Sequence, residues 1–199
     1  ATATSLVEED MKRSLGLGKA AVFRTGLDRP NLSFRVIHGA DRKDFILRYV
    51  QNHGKESGII YCATRKAVDE IYEMLASRKI KAGRYHAGME DNARKKEQED
   101  FSFDRIHVMV ATNAFGMGID KSNVRYVLHY QMPKSMEAYY QEAGRAGRDG
   151  AKAECILLYS GQDVGIQRYL IESGTQTDGQ KQMDYDRLYA MDGYCSTTG

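Results

Sequence analysis

Short apolar runs of strand type alternate with helical segments along most of this chain, and this alternation limits the possible folds more than any other feature. The predicted strands cover residues 32–37, 58–62, 80–85, 106–111, 124–130 and 153–159. The predicted helices cover residues 45–50, 65–75, 92–101, 135–143 and 163–172, with Ser135 as a cap. Strands that alternate with helices favour an α/β fold in which a mostly parallel sheet has helices on both faces.

Length and composition fit one well-buried domain with short appendages. The chain has 199 residues, 42% of them hydrophobic and 28% charged, and no apolar run approaches the length of a membrane span. We therefore expect no membrane partner. The scattered cysteines Cys62, Cys155 and Cys195 form neither a disulfide framework nor a metal knuckle, which favours a reducing compartment. A formal net charge of +2 does not by itself indicate a partner.

Polar residues follow several of the predicted strands. Thr64, His86, Thr112 and Asp120 each come after one of them. Ligands of parallel sheets bind at the carboxyl ends of the strands. The sequence therefore predicts that these residues share one edge of the sheet and form a site there.

The segment Gln141–Gly150 places two arginines three residues apart, beside glycines too small to shield them. On a helix or at its end, this spacing lets the guanidinium groups of Arg145 and Arg148 project to one side. Each group offers donors that match phosphoryl oxygens, so the segment favours phosphate binding. The alternative is a surface helix whose arginines pair with Glu142 or Asp149.

Five motifs, in family order, resemble those of RecQ-type DNA helicases of superfamily two. Gln141–Gly150 resembles motif VI, Ala111–Lys121 resembles motif V and Ile60–Lys66 resembles motif IV. Tyr85–Met89 is similar to the short motif between the last two, and Leu27–Leu32 to the linker that leads into the domain. The resemblance implies a RecA-like three-layer domain, the second of two in such helicases.

The resemblance also implies a domain organisation. Residues 1–31 would be the end of a first RecA-like domain and a linker, and residues 32–172 the second RecA-like domain. Residues 173–199 would be a polar loop, to about residue 182, and the helical start of the RecQ zinc-binding region. One cysteine, Cys195, cannot make a four-ligand site, so Zn²⁺ is expected only beyond residue 199.

The resemblance assigns residues to an ATP site. Arg148 corresponds to the arginine finger, and Arg145 approaches the nucleotide phosphates with it. Gln141 is expected to contact the nucleotide. Gly118, like Gly116, allows close backbone approach, and Asp120 is expected to accept hydrogen bonds from a ribose hydroxyl, unless it only caps a turn.

A second group is expected to contact DNA: Thr64, Arg65, His86, Thr112 and Lys121. Thr64 is also a candidate helix cap, and the two roles are compatible because the start of a helix presents free amides to phosphates. The alternative for His86 is a structural hydrogen bond within its loop.

Neither a Walker A motif nor an Asp-Glu-x-His magnesium motif occurs in the sequence. ATP and Mg²⁺ are therefore expected to be held mainly by a first domain, and this chain alone is expected to be inactive. The intact protein implied by the resemblance is an ATP-dependent three-prime to five-prime DNA helicase. It would act on single-stranded DNA and duplex junctions in recombination and repair, in a bacterial cytoplasm or a eukaryotic nucleus.

Two other classes stay open. A DEAD-box RNA helicase usually begins motif VI with histidine-arginine, where this chain has Gln141-Glu142. A non-catalytic DNA- or protein-binding domain would have no use for an arginine finger.

Overall fold

A computed structural model describes residues 13–14 and 29–198 of the protein. The predicted end of a first domain and most of the linker, residues 1–28, lie outside the described residues except for 13–14.

The centre of the fold is a single sheet in which every neighbouring pair of strands is parallel. Its strands in the described chain are β1 (Leu32–His38), β2 (Ser57–Tyr61), β3 (Ala82–Tyr85), β4 (Val108–Ala111), β5 (Val124–His129) and β6 (Ala153–Tyr159). The spatial order is β1-β6-β5-β2-β4-β3. The predicted α/β fold with a parallel sheet is confirmed.

Helices connect most of these strands, and two more follow β6. From residue 29 onward the helices are α1 (Arg42–Asn52), α2 (Arg65–Ser77), α3 (Asp91–Ser102), α4 (Met136–Ala143), α5 (Gln162–Glu172) and α6 (Asp178–Thr197). Four of them begin at a capping side chain that accepts a hydrogen bond from the amide three residues on, namely Asp41, Thr64, Ser135 and Thr177. The caps predicted at Thr64 and Ser135 are therefore present.

Two strands begin later than predicted. The amide of Ile80 donates to the carbonyl of Leu75 at 3.0 Å, and that of Ile106 to the carbonyl of Asp100 at 3.2 Å. Because both amides still close the preceding helices, β3 and β4 can begin only after them. The apolar pattern alone does not contain this information.

The helices cover both faces of the sheet. On one face α1 and α2 bury Ile46, Val68 and Leu75 against the sheet. On the other face α3, α4 and α6 contribute Phe101, Tyr139, Ala143, Leu188, Met191 and Cys195 to the second core cluster. The fold is therefore a three-layer sandwich, as predicted.

Helix α6 begins earlier than the sequence pattern predicted. The predicted polar loop ran to about Gln182, but the helix begins at Asp178, where Thr177 and Gln180 form a capping box. Leu188, Met191 and Cys195 of this helix are fully buried in the core cluster under the sheet. The predicted boundary after Glu172 therefore does not separate two hydrophobic cores.

The connection between β4 and β5 contains no helix. Because the two strands are parallel, residues 112–123 must return from the carboxyl end of β4 to the amino end of β5. Phe115 and Ile119 of this return segment are buried in the core under the sheet. Residues 112–123, which we call the return segment, thus link the edge formed by the carboxyl ends of the strands to the edge formed by their amino ends. The return segment carries much of the candidate site.

Candidate functional site

Three of the predicted site residues lie along one edge of the sheet. Thr64 follows β2, His86 follows β3 and Thr112 follows β4, and these strands are neighbours in the order β2-β4-β3. The amide of Thr112 also donates to the carbonyl of Tyr85 at 3.1 Å, which joins two of the loops. The carboxyl edge therefore carries a continuous row of polar loops, and we call it the rim.

At the rim, the start of α2 and the loop after β3 lie close together. The Thr64 side chain accepts from the amide of Ala67 at 3.1 Å. Arg65 is exposed, and its Nη1 atom would lie 3.3 Å from a Cβ built on Gly88. The absence of a side chain at Gly88 therefore lets the Arg65 guanidinium approach this loop, where it stays accessible to an anion.

His86 is a structural residue of the same loop. Its Nδ1 accepts from the amide of Gly88 at 3.1 Å, so its Nε2 carries the proton and donates to Asp69, 3.2 Å away. Asp69 also accepts from Arg84 at 2.9 Å. His86 is buried by these contacts, which favours the structural alternative for this residue.

Thr112 begins the return segment at the rim. Its hydroxyl accepts from the amide of Ala114 at 3.4 Å, and its carbonyl accepts from the amide of Phe115 at 3.0 Å. These bonds form a tight turn at the end of β4. The side chain is buried except for a small part of its surface.

The prediction that Asp120 lies at this same edge is wrong. The return segment has carried the chain away from the rim by residue 120, four residues before β5 begins at Val124. The Asp120 side chain is 98% exposed and lies 3.8 Å from Arg148 Nη1. The structure therefore groups Asp120 with the arginines and not with the rim.

Arg145 holds the middle of the return segment. Its Nη1 donates to the carbonyl of Gly116 at 2.5 Å, and its guanidinium covers the Gly116 backbone, which has a φ of +132°. A Cβ at Gly116 would lie 2.0 Å from Arg145 Cζ. Among the described residues the buried Nε of Arg145 has no hydrogen-bond partner.

Gly118 has a φ of +80° and open space around it, so its backbone is accessible.

Arg148 is the more exposed arginine. Its Nη1 donates to the carbonyl of Ile119 at 3.0 Å, and 37% of its side chain is exposed. Gln141, seven residues earlier and near the end of α4, is exposed as well. Both arginines thus bond to neutral carbonyls of the return segment and keep their charge available for an anion.

The carboxylates proposed as alternative partners are bound elsewhere. Glu142 lies 2.9 Å from His129 Nε2. Asp149 accepts from Arg125 at 2.6 Å, and this hydrogen bond holds the pKa of Asp149 below its usual value. The surface-helix alternative for the arginine pair is therefore disfavoured.

The structure places Lys121 away from the rim. Its side chain is only 3% exposed, its Nζ donates to Asp104 at 2.6 Å, and it lies 5.1 Å from the centre of the Phe101 ring. The bond holds the pKa of Asp104 below its usual value. Because Asp104 precedes β4, this pair lies at the amino edge of the sheet, and Lys121 does not join the other predicted DNA contacts.

Arg29 and Asn31 are residues whose contacts the sequence did not predict. Both donate hydrogen bonds to backbone carbonyls between Gly144 and Ala151, the segment that carries Arg145 and Arg148. They belong to the linker motif Leu27–Leu32, which was the available signal. The motif pointed to this stretch, but not to its contacts 115 residues further along the chain.

Within the described part of the chain, no group of three or more His, Cys, Asp or Glu side chains could hold a metal ion. No helix there is long and apolar enough to cross a membrane.

Comparison with known proteins places the motifs in a family context. Residues 41–150 match the model of the helicase conserved C-terminal domain. The chain is 53% identical over 197 residues to the ATP-dependent DNA helicase RecQ of Bacillus subtilis, with 99% of this chain and 33% of that protein covered. It is 41% identical over 192 residues to RecQ of Haemophilus influenzae, with 96% and 31% covered. The chain thus spans about a third of the length of these relatives.

Two further comparisons are more distant. The RecQ-like DNA helicase BLM of Xenopus laevis is 40% identical over 202 residues, which cover 98% of this chain and 15% of that protein. Among solved structures, Saccharomyces cerevisiae Dbp5 bound to Gle1 and IP6 superposes with a TM-score of 0.69 at 22% identity, with 96% of this chain and 52% of that chain covered. This structural likeness shows the fold alone.

Proposed function

The chain belongs to the family of helicase conserved C-terminal domains, in its RecQ-type branch, and on that premise we propose that it works as the second RecA-like domain of an ATP-dependent DNA helicase. The observation that carries the proposal is the arrangement of Arg145 and Arg148. Both guanidinium groups are fixed on carbonyls of one return segment, and within the described part of the chain the carboxylate beside Arg148, that of Asp120, is exposed and no buried carboxylate pairs with either arginine.

The arginines supply positive charge to the phosphates of ATP. Arg148, the more exposed of the two, stabilises the charge that develops on the transferred phosphoryl group, and such a finger raises turnover by about three to five powers of ten. Arg145 keeps the return segment in place and adds its charge to the same region. Gln141, the open backbone at Gly118 and the exposed carboxylate of Asp120 contact the nucleotide beside them.

The rim contacts single-stranded DNA. The amides at the start of α2, which Thr64 caps, and the exposed Arg65 bind backbone phosphates. Thr112 forms the next contact along the edge, and His86 holds the loop beside Arg65. Lys121 is left out of this group because it is buried against Asp104.

The arrangement couples nucleotide to DNA in the intact enzyme. Closing and opening of the cleft against a first RecA-like domain moves the strand from three-prime to five-prime and unwinds duplex junctions in recombination and repair. The sequence contains neither a Walker A motif nor an Asp-Glu-x-His motif, so the ion that accompanies ATP is held mainly by the first domain of the intact enzyme. The isolated chain therefore binds ATP weakly and does not hydrolyse it.

A chimera tests the proposal. The chain replaces the 197 matching residues of Bacillus subtilis RecQ, and DNA-stimulated ATP hydrolysis is measured with and without Arg148→Ala. We expect the chimera to hydrolyse ATP and Arg148→Ala to lower kcat by about 1,000-fold or more.

The matched control is Arg105→Ala. Arg105 is an exposed arginine that is paired with Asp100 and lies before β4, so its loss should leave kcat unchanged. A folded chimera without activity, or an Arg148→Ala chimera with full activity, would contradict the proposal.

A further inference from the structure

The segment from Gly144 to Lys152, which we call the arginine segment, joins α4 to β6 and carries Arg145 and Arg148. We infer that Arg29 and Asn31 are positioning residues, which fix the backbone of this segment so that Arg148 is held ready for the nucleotide. The inference rests on the proposed function of Arg148 as a finger.

Arg29 closes the end of α4. Its Nη1 donates to the carbonyl of Gly144 at 3.2 Å, and its Nη2 donates to those of Ala146 and Gly147 at 2.8 and 3.0 Å. Gly144 is the C-cap of α4, and Ala146 and Gly147 lie in the turn that follows it. One guanidinium thus binds three carbonyls of the cap and the turn together, which a single ammonium group cannot do with the same geometry.

Asn31 ties together the two ends of the turn that carries Arg148. Its Nδ2 donates to the carbonyl of Gly147 at 2.8 Å and to that of Ala151 at 2.9 Å. Gly147 has a φ of +57°, and a Cβ there would lie 2.5 Å from this amide nitrogen. The glycine therefore provides both the turn and the space for the Asn31 side chain.

The opposite side of the arginine segment is held as well. The amides of Gly147 and Asp149 donate to the carbonyls of Val124 and Ser122 at 2.8 and 3.2 Å. Arg125 also donates to Asp149. The backbone on both sides of Arg148 is therefore fixed, and the side chain is held by its hydrogen bond to the carbonyl of Ile119. A donor that is already in place when charge develops does not need to reorganise, which is how positioned groups lower a barrier.

The contacts of Arg29 and Asn31 are selective. Within the described part of the chain, each side-chain hydrogen bond of these two residues goes to a carbonyl of the arginine segment. Neither residue belongs to the hydrophobic core. Their loss should therefore act on the position of Arg148 more than on the rest of the fold.

The first test uses steady-state ATP hydrolysis by the chimera. We expect Arg29→Ala and Asn31→Ala each to lower kcat by about 10- to 100-fold, since a displacement of about 1 Å can have an effect of that size. The KM for ATP should change far less than kcat. Arg29→Lys should recover part of the loss. Asn31→Asp, which has nearly the same shape but places an acceptor against two carbonyls, should not recover it.

A double-mutant cycle separates positioning from general damage. If Arg29 acts through Arg148, Arg29→Ala should have almost no further effect on kcat once Arg148 is alanine. Tyr159→Phe is the structural control, because it removes a hydrogen bond to Asp192 on α6, away from the arginine segment. It should leave kcat unchanged and give no coupling to Arg148.

Hydrogen exchange on the isolated chain gives a reading that needs no activity. In Arg29→Ala and Asn31→Ala, the amides of Gly147 and Asp149 should exchange faster while the amides of β2 and β5 stay protected. The inference would be overturned if hydrogen exchange were unchanged in these variants. It would also be overturned if the kcat of the Arg29→Ala, Arg148→Ala double mutant fell by the product of the two single effects, even if Arg148→Ala is inactive. If Arg148→Ala keeps full activity, the proposed function fails first, and hydrogen exchange still decides whether the two side chains fix the segment.

Discussion

The guanidinium of Arg145 lies directly on the backbone of Gly116, so that these two residues, 29 positions apart, form one packed unit. The contact joins the arginine segment to the segment that returns from β4 to β5. It requires a glycine for two reasons: a backbone φ of +132° and a Cβ position only 2.0 Å from Arg145 Cζ. Motifs V and VI therefore constrain each other physically.

Gly116→Ala should disturb this unit strongly. We expect it to lower the free energy of unfolding by about 2 kcal/mol or more, because backbone strain and overpacking combine. It should also lower kcat of the chimera, since Arg145 must move. Urea unfolding of the chain and ATP hydrolysis by the chimera measure the two effects.

Gly118→Ala is the matched control for this change. Gly118 also has a positive φ, +80°, but open space surrounds its Cβ position. We expect only the strain of about 1–2 kcal/mol. Equal effects of the two substitutions on stability would contradict the role assigned to the Arg145 contact.

The Lys121–Asp104 pair should make stability depend on pH in the acid range. The hydrogen bond from Lys121 lowers the pKa of Asp104 in the folded chain, so the unfolded chain binds a proton more readily. The stabilisation should be complete above the unfolded pKa of about 3.9 and should be lost as the pH falls through the lower folded value. Asp104→Asn removes this dependence, and asparagine tolerates the φ of +56° at this position.

The measurement is the difference in the free energy of urea unfolding between the original chain and Asp104→Asn, taken at pH 7 and at progressively lower pH. The difference should be largest at pH 7 and should shrink below pH 4. Lys121→Met should show the same loss at pH 7 and should leave DNA affinity unchanged. A fall in DNA affinity in that variant would return Lys121 to the predicted DNA contacts.

Arg65 should contribute one phosphate contact at the rim. For single-stranded DNA, each neutralised phosphate adds about 0.7 to the slope of log affinity against log salt concentration. Arg65→Ala should therefore weaken binding of an oligothymidylate by the chain and reduce this slope by about that amount. Fluorescence anisotropy at several salt concentrations measures it, with Arg105→Ala as the control that should not change the slope.

The sequence patterns predict the structure correctly where a structural property depends on residues that are close in the sequence. The strand of residues 153–159 and the cap at Ser135 agree with the structure. The row of Thr64, His86 and Thr112 followed from the rule that parallel strands end at the same edge.

The sequence patterns do not predict the position or contacts of a side chain where these depend on residues far away in the sequence. Asp120 was misplaced because a helix-free return between parallel strands gives no periodic signal. The burial of Lys121 depends on Asp104, which lies in a different loop, 17 residues earlier. The contacts of Arg29 with carbonyls more than 100 residues away depend on the completed sheet, which brings β1 beside β6.

The burial of Leu188 gives a test of whether α6 and the sheet unfold together. The Leu188 side chain is fully buried in the cluster that also contains Tyr139 of α4. If the helix belongs to this core, Leu188→Ala should lower the free energy of unfolding of the whole chain by about 2–5 kcal/mol. Tyr189→Ala, at the next and half-exposed position, should change it by no more than about 0.5 kcal/mol. A separately folding helix would unfold first and leave the main transition in place. A small effect of Leu188→Ala together with two transitions in urea would therefore support the predicted boundary after Glu172.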